Sequence, residues 1–261
     1  MKANYYLKRL RRYALVSTLL LPSISHAATS PSQIPFTVEN QEIATTLDGD
    51  KNEITDETAR YFTIQEVTVR ELTESVWEKE DKPLAQTTKE VGDVVMLIDK
   101  IIAVGKKIWD IVSAGRPVVQ TNMDLVISVL PQTAKEGSAF FDMEGWDVPE
   151  SKDFLVEFKN GFNSTVVSFV YTVFYQGGGT FEGAGKYLTG VNITATNVNV
   201  SWGFDFNAKS ALVAISNHGS KANPEAGATL QVQYTVKNWM KHITATETVH
   251  VMGRGEIKKL R

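Results

Sequence analysis

Residues 166–175 read Val-Val-Ser-Phe-Val-Tyr-Thr-Val-Phe-Tyr. The odd positions, Val167, Phe169, Tyr171, Val173 and Tyr175, are β-branched or aromatic without exception, and the even ones set Val166, Val170 and Phe174 among Ser168 and Thr172. Such residues fit a pleated surface and lose rotamer freedom in a helix. The run predicts a strand. Being apolar on both faces, it predicts a central strand covered on both sides.

Outward from this stretch the same period of two recurs. Phe154 to Phe158 and Met123 to Leu130 read as strands, the second ended by Pro131. Val198, Val200, Trp202, Phe204 and Phe206 alternate with polar residues and Gly203, which places Trp202 on the apolar, core-facing phase. Leu230, Val232, Tyr234 and Val236 alternate with Gln and Thr, and Ile243 to Val251 turns Thr244, Thr246, Thr248 and His250 to a polar face. Turns are expected at Gly177-Gly178-Gly179, Asn217-His218-Gly219 and Asn223-Pro224. Short strands joined by such turns, with no strand–helix alternation, point to an antiparallel sandwich. Upstream, Tyr61 to Leu72 alternates with a phase slip near Gln65, the mark of a strand with a bulge.

One segment breaks the period. Val91, Val94, Val95, Ile98, Ile101, Ile102, Gly105, Ile108, Trp109 and Val112 fall at helical spacing, with Asp93, Asp99, Lys100, Lys106, Lys107 and Asp110 off the stripe. Thr87 or Thr88 can cap the start, and Gly115 and Pro117 close the end. A helix over 88–112 is expected, its stripe and Trp109 packed permanently on the sheet, with Gly105 at a close crossing. The fold class is then α+β, mainly β: an antiparallel β-sandwich preceded by one long amphipathic helix. The expected division is 1–27 signal peptide, 28–60 leader, 61–117 strand plus helix, and 118–261 sandwich, packed with the helix as one domain.

The N-terminus argues for export. Lys2, Lys8, Arg9, Arg11 and Arg12 precede the short apolar run Tyr13 to Leu21, and Ser25-His26-Ala27 supplies a small-residue cleavage site. The run is too short for a span, which needs about 20 residues. The 261-residue chain has a net charge of −3, and losing those five basic residues leaves −8. An acidic chain is poorly suited to replace counterions on nucleic acid, so no nucleic-acid partner is expected. No transmembrane segment is expected after the signal. The absence of Cys excludes disulfides, thiolate metal sites and a Cys nucleophile. The protein is expected in the periplasm or outside a bacterial cell.

Motifs for chemistry are sparse. Gly179 to Lys186 resembles a phosphate loop, but Thr180 stands where that loop needs Gly and Tyr187 where it needs Ser or Thr. A hairpin is expected there. Asp48, Asp50, Asn52 and Asp56 have calcium-loop spacing, but Glu53 and Ala59 occupy the positions of the required Gly and Glu, so a solvated turn is expected. His242 and His250 lie eight residues apart on one predicted strand, about 26 Å, too far to share a metal. No catalytic, metal or cofactor site is assigned. The candidate ligand-binding residues are Trp146 and Trp239, placed in a loop and at a strand end, with Asp142, Glu144 and Asp147 of the acidic loop around Trp146.

These features suit an exported, non-catalytic binding or interaction protein with a protein, carbohydrate or lipid ligand. The order of amphipathic helix and then aromatic-rich sandwich is similar in layout to the actinoporin cytolysins, with no shared motif. That resemblance implies the alternative, a membrane-active, pore-forming-like protein. A third reading is a hydrolase using paired carboxylates. Oligomeric state is not legible.

Overall fold

The run at 166–175 sits within a 17-residue strand, and the hydrogen-bond ladder grown from it organises half of the protein. The computed structural model describes residues 38–42, 55–72, 95–118, 126–133 and 138–260. The signal segment 1–27, the loop positions Asp48, Asp50 and Asn52, and the start of the expected helix at 88–94 lie outside the described residues. In chain order the strands are β1 (Val38–Glu42), β2 (Ile64–Leu72), β3 (Met96–Ile98), β4 (Ile101–Val104), β5 (Ile108–Ser113), β6 (Arg116–Pro117) and β7 (Ile127–Pro131). They continue with β8 (Glu150–Asn160), β9 (Thr165–Phe181), β10 (Ala184–Val200), β11 (Phe204–Asn217), β12 (Ala226–Asn238), β13 (Lys241–Met252) and β14 (Glu256–Lys259). The helices are short: α1 (Asp56–Phe62) and α2 (Ser138–Phe141).

Two seven-stranded antiparallel sheets result. The first runs β1-β13-β12-β11-β5-β6, with β14 also on β13; the second runs β2-β8-β9-β10-β7-β4-β3. Strands β1 and β14 share one side of β13, the first along Lys241 to Ala245 and the second along Val249 to Met252. Five residues of the segment expected as a leader thus pair with a sheet. The expected bulge in β2 is present: Ile64 faces Asn160 and Glu66 faces Lys159, leaving Gln65 as the extra residue.

The apolar faces of the sheets meet. Phe169 of β9 lies 4.8 Å from Phe206 of β11 and 5.4 Å from Tyr234 of β12, ring centre to ring centre. Phe158 of β8 stands edge-on to Tyr234 at 6.0 Å. All the odd positions of the founding stretch are buried, as the alternation requires. Its even face is less uniform: Val166 and Val170 are buried, and Phe174 is 36% exposed.

One acid sits within the apolar layer. Glu247 of β13 is 1% exposed, between Ala245 and Val249 on the inward phase. It accepts hydrogen bonds from the Tyr171 hydroxyl at 2.6 Å and from the Tyr234 hydroxyl, so it joins the two sheets. Lys259 of β14 supplies the countercharge at 2.9 Å. A buried carboxylate needs such partners, because desolvation otherwise penalises its ionised form.

The long helix is not there. Residues 96–113 form β3, β4 and β5, and the only helices among the described residues are short. Ile98, Ile101, Ile102, Val104, Ile108, Ile111 and Val112 are all β-branched, which suits strands. Alternation also appears in the burial: Ile101 and Ala103 are fully buried and Val104 is exposed, while Ile108 and Asp110 are exposed around buried Trp109 and Ile111. Lys100, at φ +70°, turns β3 into β4. Gly105, at φ +131°, lies against the backbone carbonyl of Val126, where no side chain fits. The close crossing at Gly105 is therefore real, but its neighbour is the chain entering β7. With the helix gone, the layout similar to actinoporins is gone too.

Three smaller readings are corrected. Tyr61 and Phe62 belong to α1, whose start is capped by the Thr55 hydroxyl accepting from Thr58 N–H at 3.2 Å. Gly177, Gly178 and Gly179 lie inside β9 and make no turn. A Cβ on Gly177 would stand 2.6 Å from the Gly253 carbonyl, and one on Gly179 2.5 Å from the Trp146 ring, so these glycines admit close neighbours. The hairpin turn follows at Glu182 (φ +52°) and Gly183 (φ +73°), the double positive φ of a type I′ turn. Finally, the alternation through Trp202 is cut. Strand β10 ends at Val200 and β11 starts at Phe204, and Trp202 is 83% exposed on the turn between them.

Candidate functional site

Seven residues of α1 act as a hub to which three turns are tied. Gly161 N–H in the β8–β9 turn donates to the Arg60 carbonyl at 3.0 Å, and the Arg60 guanidinium donates back to the Gly161 carbonyl at 3.2 Å. The Tyr61 hydroxyl donates to the Trp202 carbonyl in the β10–β11 turn at 3.2 Å. Asn238, at the end of β12, donates its amide N–H to the Phe62 carbonyl at 2.8 Å. Its Oδ1 accepts from Met240 N–H and Lys241 N–H, which shapes the turn carrying Trp239.

Each turn presents an aromatic residue beside a small or amide residue. Asn160 Oδ1 accepts from Phe162 N–H at 3.0 Å and Ser164 N–H at 3.1 Å, closing the turn under Phe162. Gly203, at φ +81°, lets Trp202 precede a tight reversal, with Phe204 N–H donating to the Ser201 carbonyl at 3.2 Å. A Cβ on Gly203 would come within 2.6 Å of the Phe62 ring, so only glycine lets that ring seat beneath the turn.

The rings converge on Phe62, which is 5% exposed. Tyr61 stands edge-on to it at 4.9 Å and 88°, and Trp239 at 5.5 Å and 80°. Trp202 lies 6.3 Å away at 51°. Together with Phe162, Gly203, Glu57 and Thr58 they line an open groove of about 750 Å³. Trp202 is 83% exposed and Trp239 36%, which leaves ring surface open to a ligand, while the Phe162 ring, 40% exposed, carries the Arg60 guanidinium 4.7 Å from its centre. Glu57 is the one carboxylate among the lining residues, and Thr58 and Tyr61 add hydroxyls. This arrangement can grip an apolar or aromatic-seeking group and offer it one negative charge.

Of the five residues singled out in the sequence, Trp239 lines this groove and the other four do not. Trp146 packs against the core and donates its indole N–H to the Ala139 carbonyl at 2.8 Å. Asp142, Glu144 and Asp147 are exposed. Glu144 and Asp147 bind β9 through their backbones, to Thr180 and Gly177. Among the described residues, no three His, Asp or Glu gather closely enough to hold a metal ion. The glycine-rich segment 179–186 is the β9–β10 hairpin, and its Gly185 and Lys186 amides are used by Asn223 and Pro224. Phe162, Trp202, Tyr61, Phe62 and Glu57 were not anticipated. Phe162 and Trp202 share a signal with Trp239, an aromatic residue flanked by Asn or Gly in Asn160-Gly161-Phe162, Trp202-Gly203 and Asn238-Trp239, and Glu57, Tyr61 and Phe62 carry no such signal.

The histidines find a different arrangement. His242 and His250 share the outward face of β13, and His250 meets His218 from the β11–β12 loop, Nε2 to Nε2 at 2.8 Å. Thr229 binds the other nitrogen of His250 at 2.8 Å. Burial first, then the charges of His218 and Lys258, hold the His250 pKa below 6.5. The folded state thus prefers neutral His250, and below pH 6.5 the unfolded chain binds more protons. The stability His250 contributes is complete above pH 6.5 and is lost as pH falls below it. Urea midpoints at pH 7.5 and 5.5 check this. His250→Gln should flatten the difference, and an unchanged slope would refute the assignment.

Comparisons with protein-family models, with curated proteins and with solved structures find no match to this chain.

Proposed function

We propose that the chain is an exported, non-catalytic binding protein whose ligand seats in the groove around Phe62. The observation that carries this reading is the convergence of Tyr61, Phe62, Phe162, Trp202 and Trp239, from four separate chain segments, on one open cavity. A Trp left 83% exposed at a turn tip gives up the burial that normally stabilises so large a side chain, and ligand contact restores it. Glu57 stands as the one lining carboxylate, whereas glycosidase chemistry needs two, about 5–9.5 Å apart, and this weighs against the hydrolase reading.

The test uses protein recovered from periplasm or medium, its N-terminus read at Ala28 if export is correct. Indole emission is followed on addition of cellotriose, choline chloride or phosphatidylcholine vesicles. At least one probe should bind. Trp202→Ala and Trp239→Ala should each weaken that binding about tenfold or more. Trp202 supports little packing, so its removal should leave stability within about 0.5 kcal/mol. A chain starting at Met1 defeats export; binding to none of the probes, or binding indifferent to both variants, defeats the site.

A second reading has its own observation. Phe162, Trp202 and Trp239 are exposed on turns anchored to the same helix, as aromatics that enter a membrane interface would be. A net charge of −8 after loss of the signal gives no attraction to anionic lipid. Dye leakage from neutral vesicles that is abolished by Trp202→Ala would promote this membrane-active reading over the first.

A further inference from the structure

We infer that the groove recognises a quaternary ammonium group. This rests on the groove being the binding site and goes on to name the chemistry it takes. Two features of the lining point the same way.

The first is charge. Aromatic faces carry the negative lobe of the ring quadrupole, and a cation over them is attracted from distances up to about 6 Å. Glu57 adds a full negative charge, and no Lys or Arg is among the lining residues. An anionic ligand would be repelled by both. The Arg60 guanidinium already takes one such position, 4.7 Å from the centre of the Phe162 ring, which leaves Trp202 and Trp239 as the exposed faces for a ligand cation. The guanidinium is turned toward the Gly161 carbonyl, to which it donates at 3.2 Å.

The second is the angle between rings. A pyranose stacks on a flat platform, with its C–H face against one or more coplanar rings. Here the rings around Phe62 are inclined at 51°, 80° and 88°. Inclined walls suit a compact, nearly spherical group touched from several sides, and a trimethylammonium head has that shape.

A trimethylammonium group can arrive free in solution or as a lipid headgroup. The test pairs choline chloride with 3,3-dimethyl-1-butanol, its uncharged isostere, and adds phosphatidylcholine and phosphatidylglycerol vesicles. Indole emission is titrated with each. Choline should bind at least about tenfold more tightly than the isostere, since cation–π attraction vanishes with the charge. Glu57→Gln should weaken choline about five- to tenfold and leave the isostere unchanged. Trp239→Leu, which keeps apolar volume and removes the π face, should weaken choline alone. Thermal melting confirms that both variants are folded. Free choline binding with no vesicle binding identifies a soluble ligand; binding to phosphatidylcholine but not phosphatidylglycerol vesicles identifies the headgroup, and either result supports the assignment. Equal affinity for choline and the isostere overturns it while leaving the groove as a binding site. Cellotriose binding without choline binding does the same. Silence toward every probe removes the site itself.

Discussion

Glu247→Ala should lower the unfolding free energy by about 3–5 kcal/mol, the cost of breaking a buried, hydrogen-bonded charge pair by deleting one partner. Two buried tyrosine hydroxyls lose their acceptor, and Lys259, itself only 14% exposed, loses its countercharge. Glu247→Gln keeps an acceptor and should cost less, which separates the charge from the hydrogen bonds. The same cluster sets an alkaline limit. Burial first, then the charge of Glu247, raises Tyr171 and Tyr234 well above the usual phenol pKa of 10. The folded state therefore retains protons that the unfolded chain releases above pH 10. Stability is complete below pH 10 and falls as pH rises beyond it. Urea unfolding of wild type and both variants at pH 8, with tyrosinate absorbance followed from pH 9 to 12, measures both effects. A cost below about 1 kcal/mol for Glu247→Ala would mean that the two sheets are held without this bridge.

Trp109→Ala should cost about 3–5 kcal/mol, the range for deleting a large aromatic side chain from a packed interior. Trp109 is 4% exposed on β5 of the first sheet. Its indole N–H donates to the Ile193 carbonyl in β10 of the second sheet at 3.2 Å. Removal leaves both a cavity and an unpartnered buried carbonyl. Trp109→Phe refills most of the volume and isolates the hydrogen bond, worth about 1 kcal/mol. Chemical denaturation with an unchanged m-value is the readout. A loss under about 1 kcal/mol for the alanine variant would place the ring outside the core. The same residue separates the two functional readings. A Trp held between sheets keeps its emission when lipid is added, and of the five Trp in the chain a lipid response is assigned to Trp202 or Trp239 when Trp202→Ala or Trp239→Ala removes it.

The founding stretch shows what local sequence decides. Val167, Phe169, Tyr171, Val173 and Tyr175 have one spacing and one chemistry, and both specify a strand with a buried face. The antiparallel, mainly β character follows from the same alternation in β11, β12 and β13, and the slip at Gln65 is the bulge in β2. Residues 95–112 show where local information ends. Their stripe satisfies a period of 3.6, while their individual residues satisfy a period of two. Partners far along the chain settle the choice: β7 for β4, and β11 for β5. Hydrogen-bond partners more than 20 residues away leave no trace in a window of ten.

The site was less legible for the same reason. Trp202 has the apolar phase of β10 and β11 on either side of it, and the reversal at Gly203 alone takes it out of the core. Glu247 interrupts an otherwise apolar face of β13, visible in the sequence as a charge out of phase, but its tyrosine partners come from two other strands. Trp239 was identifiable from its strand-end position. Its companions, from Glu57 through Trp202, become neighbours because α1 ties three turns together, one by a backbone hydrogen bond and two by side-chain donors on backbone carbonyls. Composition and periodicity determine which faces are buried. Which exposed rings share one groove is decided by loop closure in three dimensions, where contacts between residues 62, 162, 202 and 239 follow from strand order and not from spacing.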